Sequence, residues 1–152
     1  DGMDMALIVW DKKAGTLRFS GAHNSLYLLR KNLADYGFAG SEAVGVENNM
    51  LLEIYGDNMP VGFEDSGMDQ PFTTTEIQLR SGDMIYLSSD GIEDQFGGEK
   101  TKKFTSKRLK NLFQAICMKP VQEQREEIEK ALDAWKGGVS QTDDICLMGI
   151  KV

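Results

Sequence analysis

The apolar pattern of this chain changes period once, at Thr105, and that change limits the folds open to it. Before Thr105, short apolar runs alternate with breaks rich in Gly, Asn and Asp, the rhythm of strands and turns. After it, Leu109, Leu112, Phe113 and Ile116 recur at helical spacing with a basic opposite face. Thr105 or Ser106 can cap that helix. A second helix begins near Pro120, turns Val121, Ile128, Leu132 and Trp135 inward, and stops at Gly137-Gly138. Residues 145–152 then return as a strand.

The earlier half reads as antiparallel pieces. Residues 5–10 and 16–20 flank Asp11-Lys12-Lys13-Ala14-Gly15, a hairpin connection with Gly near its end. Residues 25–30 form a further strand whose Leu26 and Leu28 alternate with Tyr27 and Leu29. Residues 31–71 are rich in Gly, Asn and Asp, with a short strand at 50–55. Residues 72–79 and 84–87 are expected to pair through Arg80-Ser81-Gly82-Asp83. Strands, two helices and a returning strand make an α+β domain with helices on a sheet face. A length of 152 residues suits a single domain, residues 1–152.

A formal charge of -7 excludes a nucleic-acid partner, because no Lys/Arg stripe interleaved with aromatics is present to neutralise phosphates. The basic cluster Lys100, Lys102, Lys103, Lys107, Arg108 and Lys110 reads as a solvated loop and helix face. Cys117 and Cys146 have no CxxC partner and read as reduced core residues of an intracellular, cytoplasmic protein. No apolar run approaches the roughly 20 residues of a membrane span. The chain starts Asp1-Gly2-Met3-Asp4 and runs straight into a strand, which reads as a piece of a longer polypeptide.

The acids carry the chemistry. Asp90-Gly91 follows the strand at 84–87, so its carboxylate either caps a turn or faces a site. Gln141-Thr142-Asp143-Asp144 precedes the last strand, and the two strand ends converge if those strands are neighbours. Hard oxygen ligands on rigid strand ends are what Mg²⁺ or Mn²⁺ requires. Glu93 and Asp94 either orient metal waters or form an exposed acidic turn, and the turn is the commoner case. His23, the sole histidine, lies in Gly-Ala-His-Asn and reads as a turn residue rather than a proton donor. Trp10 and Trp135 read as core. Ser88 and Ser89 lack a histidine dyad, which argues against a covalent serine nucleophile.

Taken in order, Gly2-Met3-Asp4-Met5-Ala6-Leu7, Leu17-Arg18-Phe19-Ser20-Gly21-Ala22-His23-Asn24, Pro60-Val61-Gly62, Gly82-Asp83, Leu87-Ser88-Ser89-Asp90-Gly91-Ile92-Glu93-Asp94-Gln95-Phe96-Gly97-Gly98 and Gln141-Thr142-Asp143-Asp144-Ile145 resemble the SpoIIE-like (sporulation stage II E) protein phosphatases. These are the bacterial branch of the metal-dependent PPM serine/threonine phosphatases. The resemblance implies an α-β-β-α sandwich of antiparallel sheets with helices outside, and two Mn²⁺ or Mg²⁺ ions that activate a water for in-line attack on phosphorus. Carried over by position, Asp90 and Asp143 are metal ligands. Asp144 either supports a ligand from behind without touching the metal or is an alternative ligand, Gly91 allows close backbone approach, and no catalytic residue beyond the metal ligands is implied. The substrate implied is a phosphoserine or phosphothreonine on a bacterial regulatory protein, such as an anti-sigma-factor antagonist.

The departure matters equally. A complete member has, upstream of the Gly-Met-Asp segment, a strand ending in an Asp that bridges both metals, followed by two long helices. Asp1-Gly2 precedes the wrong strand and is not given that role. The expectation is therefore a partial sandwich, the C-terminal part of a phosphatase domain, inactive or weakly active alone. An uncovered sheet face would favour a homodimer. The alternative is a pseudo-phosphatase or regulatory protein-binding module without catalysis.

Overall fold

A computed structural model describes residues 2–31, 44–47, 50–62 and 70–152. The strands are β1 (Gly2–Met3), β2 (Met5–Asp11), β3 (Thr16–Ala22), β4 (Leu26–Leu29), β5 (Val44–Glu47), β6 (Leu51–Ile54), β7 (Val61–Gly62), β8 (Thr75–Gln78), β9 (Met84–Ser88), β10 (Phe96–Gly97), β11 (Lys102–Lys103) and β12 (Leu147–Lys151). The helices are α1 (Gly91–Asp94), α2 (Ser106–Ile116) and α3 (Val121–Lys136). Asp1 and much of the Gly- and Asn-rich segment at 31–71 lie outside the described residues. The fold is α+β with antiparallel sheets, in two compact units: Asp1–Leu87 with Ile150–Val152, and Ser88–Gly149.

The first unit is built on a two-sheet core. One sheet has the order β2-β3-β8 and the other β12-β9-β4-β6-β5. The β2–β3 hairpin forms as its sequence dictates: Asp11 Oδ1 accepts the Lys13 and Ala14 amides, and Gly15 takes φ 67°. Leu17, Phe19 and Ile77 of one sheet join Leu26, Leu28, Leu52, Ile54, Ile85 and Leu87 of the other in one apolar cluster, with Trp10 packed against it. Burial of these side chains is the main stabilising term here.

The expected hairpin of 72–79 with 84–87 does not form. β8 pairs with β3, whereas β9 pairs with β4 in the other sheet. The intervening turn is a crossing point between sheets, and a buried ion pair marks it. Arg30 Nε donates to Asp83 Oδ1 at 2.7 Å, and the same guanidinium reaches the Gln78 carbonyl at 3.0 Å. Asp83 Oδ2 accepts the Arg80 amide at 2.8 Å, so one carboxylate closes the turn and anchors β4.

In the second unit α2 buries Leu109, Phe113 and Ile116, as its stripe requires, while Leu112 is half-buried. Thr105 holds the cap position without a side-chain bond, at φ 75°. α3 ends at Gly137, whose amide bonds the Asp133 carbonyl at φ 54°. Val121, expected inside, is exposed; Gln124 points inward instead and donates to the Cys117 and Lys119 carbonyls at 3.2 and 2.8 Å. Those bonds satisfy acceptors left over where α2 ends. Cys117 is buried, but Cys146, also expected in the core, is exposed. Among the described residues no helix is long and apolar enough to cross a membrane.

Candidate metal centre

Asp90, Gly91, Asp143 and Asp144 all lie in the second unit. β9 runs out at Ser88, and Asp90 is the residue from which α1 starts; its carbonyl accepts the Asp94 amide at 3.0 Å. The turn expected at Asp90-Gly91 is thus the first turn of a short helix. The Asp90 carboxylate makes no capping bond and is exposed. Of the two roles open to it, capping is the one the geometry discards.

The segment carrying Asp143 and Asp144 is tied to this turn from both sides of Asp90. Ser89 exchanges backbone and side-chain bonds with it: its amide donates to the Cys146 carbonyl at 2.9 Å, its hydroxyl donates to the Asp144 carbonyl at 3.0 Å, and the Cys146 amide donates back to that hydroxyl at 2.9 Å. Gly91 lies against the same backbone. A Cβ there would overlap the Asp144 carbonyl oxygen and come within 2.9 Å of its carbon and 3.5 Å of the Asp143 carbonyl carbon. Glycine is required by this close approach, at an unexceptional φ.

The acids differ in how far they are engaged. Asp143 Oδ1 accepts the Asp144 amide at 2.7 Å, which fixes one oxygen of that carboxylate. Asp94 pairs with Lys103 at 2.8 Å on the surface, and the Glu93 carbonyl accepts the Thr105 amide, in keeping with an acidic turn. His23 sits at φ 58° with Nδ1 2.8 Å from Asp4 Oδ1, a turn residue in the first unit. The hydroxyl of Ser89 is committed to backbone groups. Trp135 is half-buried, donating to the Gln95 carbonyl at 3.1 Å with the Arg108 guanidinium 4.3 Å above its ring.

The donor set is chemically suited to a hard divalent cation: carboxylate oxygens, no thiolate, no imidazole. Among the described residues no group of three or more His, Cys, Asp or Glu is gathered as a metal site, so Asp90, Asp143 and Asp144 do not form one by themselves. One residue escaped the sequence reading. Gln95, 1% exposed, joins α1 to the 140–142 loop, and a glutamine after two acids gave no signal of that role.

The family described as Stage II sporulation protein E matches residues 2–152. The SiaA-PP2C domain of Pseudomonas aeruginosa is similar at 26% identity and TM-score 0.78, over 98% of this chain and 51% of that one. The PP2C phosphatase domain of the Bacillus subtilis cell fate determinant SpoIIE, solved with a fragment of its regulatory domain, is 16% identical at TM-score 0.65, over 97% and 36%. The catalytic domain of the serine threonine protein phosphatase PstP, solved in complex with 2 manganese ions, shares 18% identity at TM-score 0.56, over 96% and 56%. The last two show likeness of fold alone. No curated protein is significantly similar to the chain. The chain therefore spans about half the length of its first structural relative.

Proposed function

The chain belongs to the Stage II sporulation protein E family, and from that premise we propose that it carries part of the metal centre of a metal-dependent protein serine/threonine phosphatase. The observation that carries the reading is the packing of Gly91 on the Asp143-Asp144 backbone, which keeps both acid-bearing segments side by side. Asp90 and Asp143 would hold Mn²⁺ or Mg²⁺, with Asp144 as the alternative ligand. When bound, such a cation lowers the pKa of a water for attack on phosphorus and offsets phosphoryl charge.

The chain's own residues do the rest. The uncapped Asp90 carboxylate is free of backbone duties, and the bond from the Asp144 amide orients that of Asp143. Ser89 locks the two segments and has no proton acceptor for nucleophilic work, which favours direct hydrolysis over a phosphoserine enzyme. The substrate class is phosphoserine or phosphothreonine on a regulatory protein in the cytoplasm. The remaining ligands would come from the part of the domain this chain does not span, which the resemblance places upstream; the half-length match supports there being such a part.

The test is Mn²⁺-dependent hydrolysis of p-nitrophenyl phosphate by this chain and by a form extended upstream, side by side. Turnover in the extended form, with little in the chain, is the expected result. Turnover in neither would transfer the weight to a non-catalytic binding module. Leu7 and Val9, about half exposed on β2, are the surface through which the chain alone would dimerise. Sedimentation velocity of the Leu7→Lys variant should then show a monomer, and an unchanged profile would rule that surface out.

A further inference from the structure

Gln95 closes α1 and is almost fully buried, yet every polar atom of its side chain is used. Nε2 donates to the Phe96 carbonyl at 2.9 Å and to the Ser140 carbonyl at 3.1 Å. Oε1 accepts the Thr142 amide at 3.3 Å. The backbone carbonyl of Gln95 accepts both the Phe104 amide and the Trp135 indole N–H, which fixes where the residue sits. The Thr142 hydroxyl adds a bond to the Asp94 carbonyl at 3.4 Å.

We propose that Gln95 is the positioning residue of the metal centre: its amide sets where Asp143 stands relative to Asp90. The inference rests on the metal reading of those two acids. Its physical basis is the path of connections. Asp90 opens α1 and Gln95 ends it, so the helix is held at one end by Gly91 against Asp144 and at the other by Gln95 against residues 140–142. Asp143 follows Thr142 directly. An amide is needed because the site presents two carbonyls and one N–H to a single side chain; a carboxylate would face two acceptors and an apolar group would satisfy none. Ligands held by such outer contacts typically lose about 10–100-fold in metal affinity when the contact is removed.

The test compares the chain with its Gln95→Leu variant, and with Gln95→Asn should the leucine variant not fold. Amide hydrogen exchange reads the brace without any metal. Exchange should rise about tenfold or more across residues 140–144 while α2 keeps its protection. Equal loss of protection in α2 would reduce Gln95 to a general packing residue, and unchanged exchange at 140–144 would overturn the brace outright. Mn²⁺ alone, titrated into the upstream-extended forms of parent and variant by the electron paramagnetic resonance signal of the free ion, supplies the second readout. Affinity should fall about tenfold or more, whereas the Phe113→Ala variant, destabilised away from the loop, should bind as the parent does. If the extended parent binds no Mn²⁺ while the exchange result holds, the metal reading fails and the brace stands as a positioner of the loop alone.

Discussion

At the scale of single residues, the decisive contacts are those made by backbone and by side chains too short or too ordinary to stand out in a sequence. Gly91 was legible because Asp-Gly after a strand is a known setting for close approach. Its partner, the Asp144 carbonyl, was not legible, since only the fold brings residues so distant in sequence into contact. Gly91→Ala should therefore part the two acid segments, costing about 1–3 kcal/mol and most Mn²⁺-dependent turnover in the extended form. Full turnover at unchanged stability would show that the close approach is dispensable. The Arg30–Asp83 pair was invisible for a different reason: no local pattern links an arginine at a strand end to an aspartate in a later connection, and both are buried. Arg30→Met strips a buried carboxylate of its guanidinium and should cost about 3–5 kcal/mol in urea unfolding.

Among the elements, local chemistry predicted the ones that local chemistry controls. The β2–β3 hairpin and both long helices follow from turn residues and apolar period, whereas the partner of β8 depends on a chain crossing that no local pattern encodes. Helix α3 illustrates the limit. Its apolar stripe includes Val121 by spacing, but the carbonyls at the end of α2 need donors, and Gln124 supplies them. Phe113→Ala, at a fully buried site, should cost about 3–5 kcal/mol, and Val121→Ala less than about 0.5 kcal/mol; comparable losses would restore Val121 to the core.

The hairpin turn also carries a pH signature. Hydrogen bonds from the Ala14 and Lys13 amides, with the Arg18 charge adding to them, hold the Asp11 carboxyl below its ordinary pKa. The contribution is thus fully present above the unfolded value and is lost as pH falls through the lower folded one. The melting-temperature gap between the parent and Asp11→Ala should narrow from about pH 6 to about pH 3. A gap independent of pH would mean the carboxylate is idle.

For the molecule as a whole, the ordered succession of segments from Gly2 to Ile145 identified the family, and the match over residues 2–152 agrees with it. The acids at Asp90 and Asp143 were legible as candidates because strand ends followed by Asp are where an α+β fold presents ligands. What else a metal site would need was not, because among the described residues no group of three or more such donors is gathered. Catalysis is thus proposed for the assembled domain, to which this chain would contribute Asp90 and Asp143.

The most direct test is Mn²⁺-dependent phosphate release by the upstream-extended form carrying Asp90→Asn or Asp143→Asn, with circular dichroism to verify the fold. Each substitution keeps the shape of the side chain and removes its charge, so each should abolish turnover without unfolding the protein. Turnover retained at the parent's Mn²⁺ dependence in either variant would contradict the assignment of that residue as a ligand.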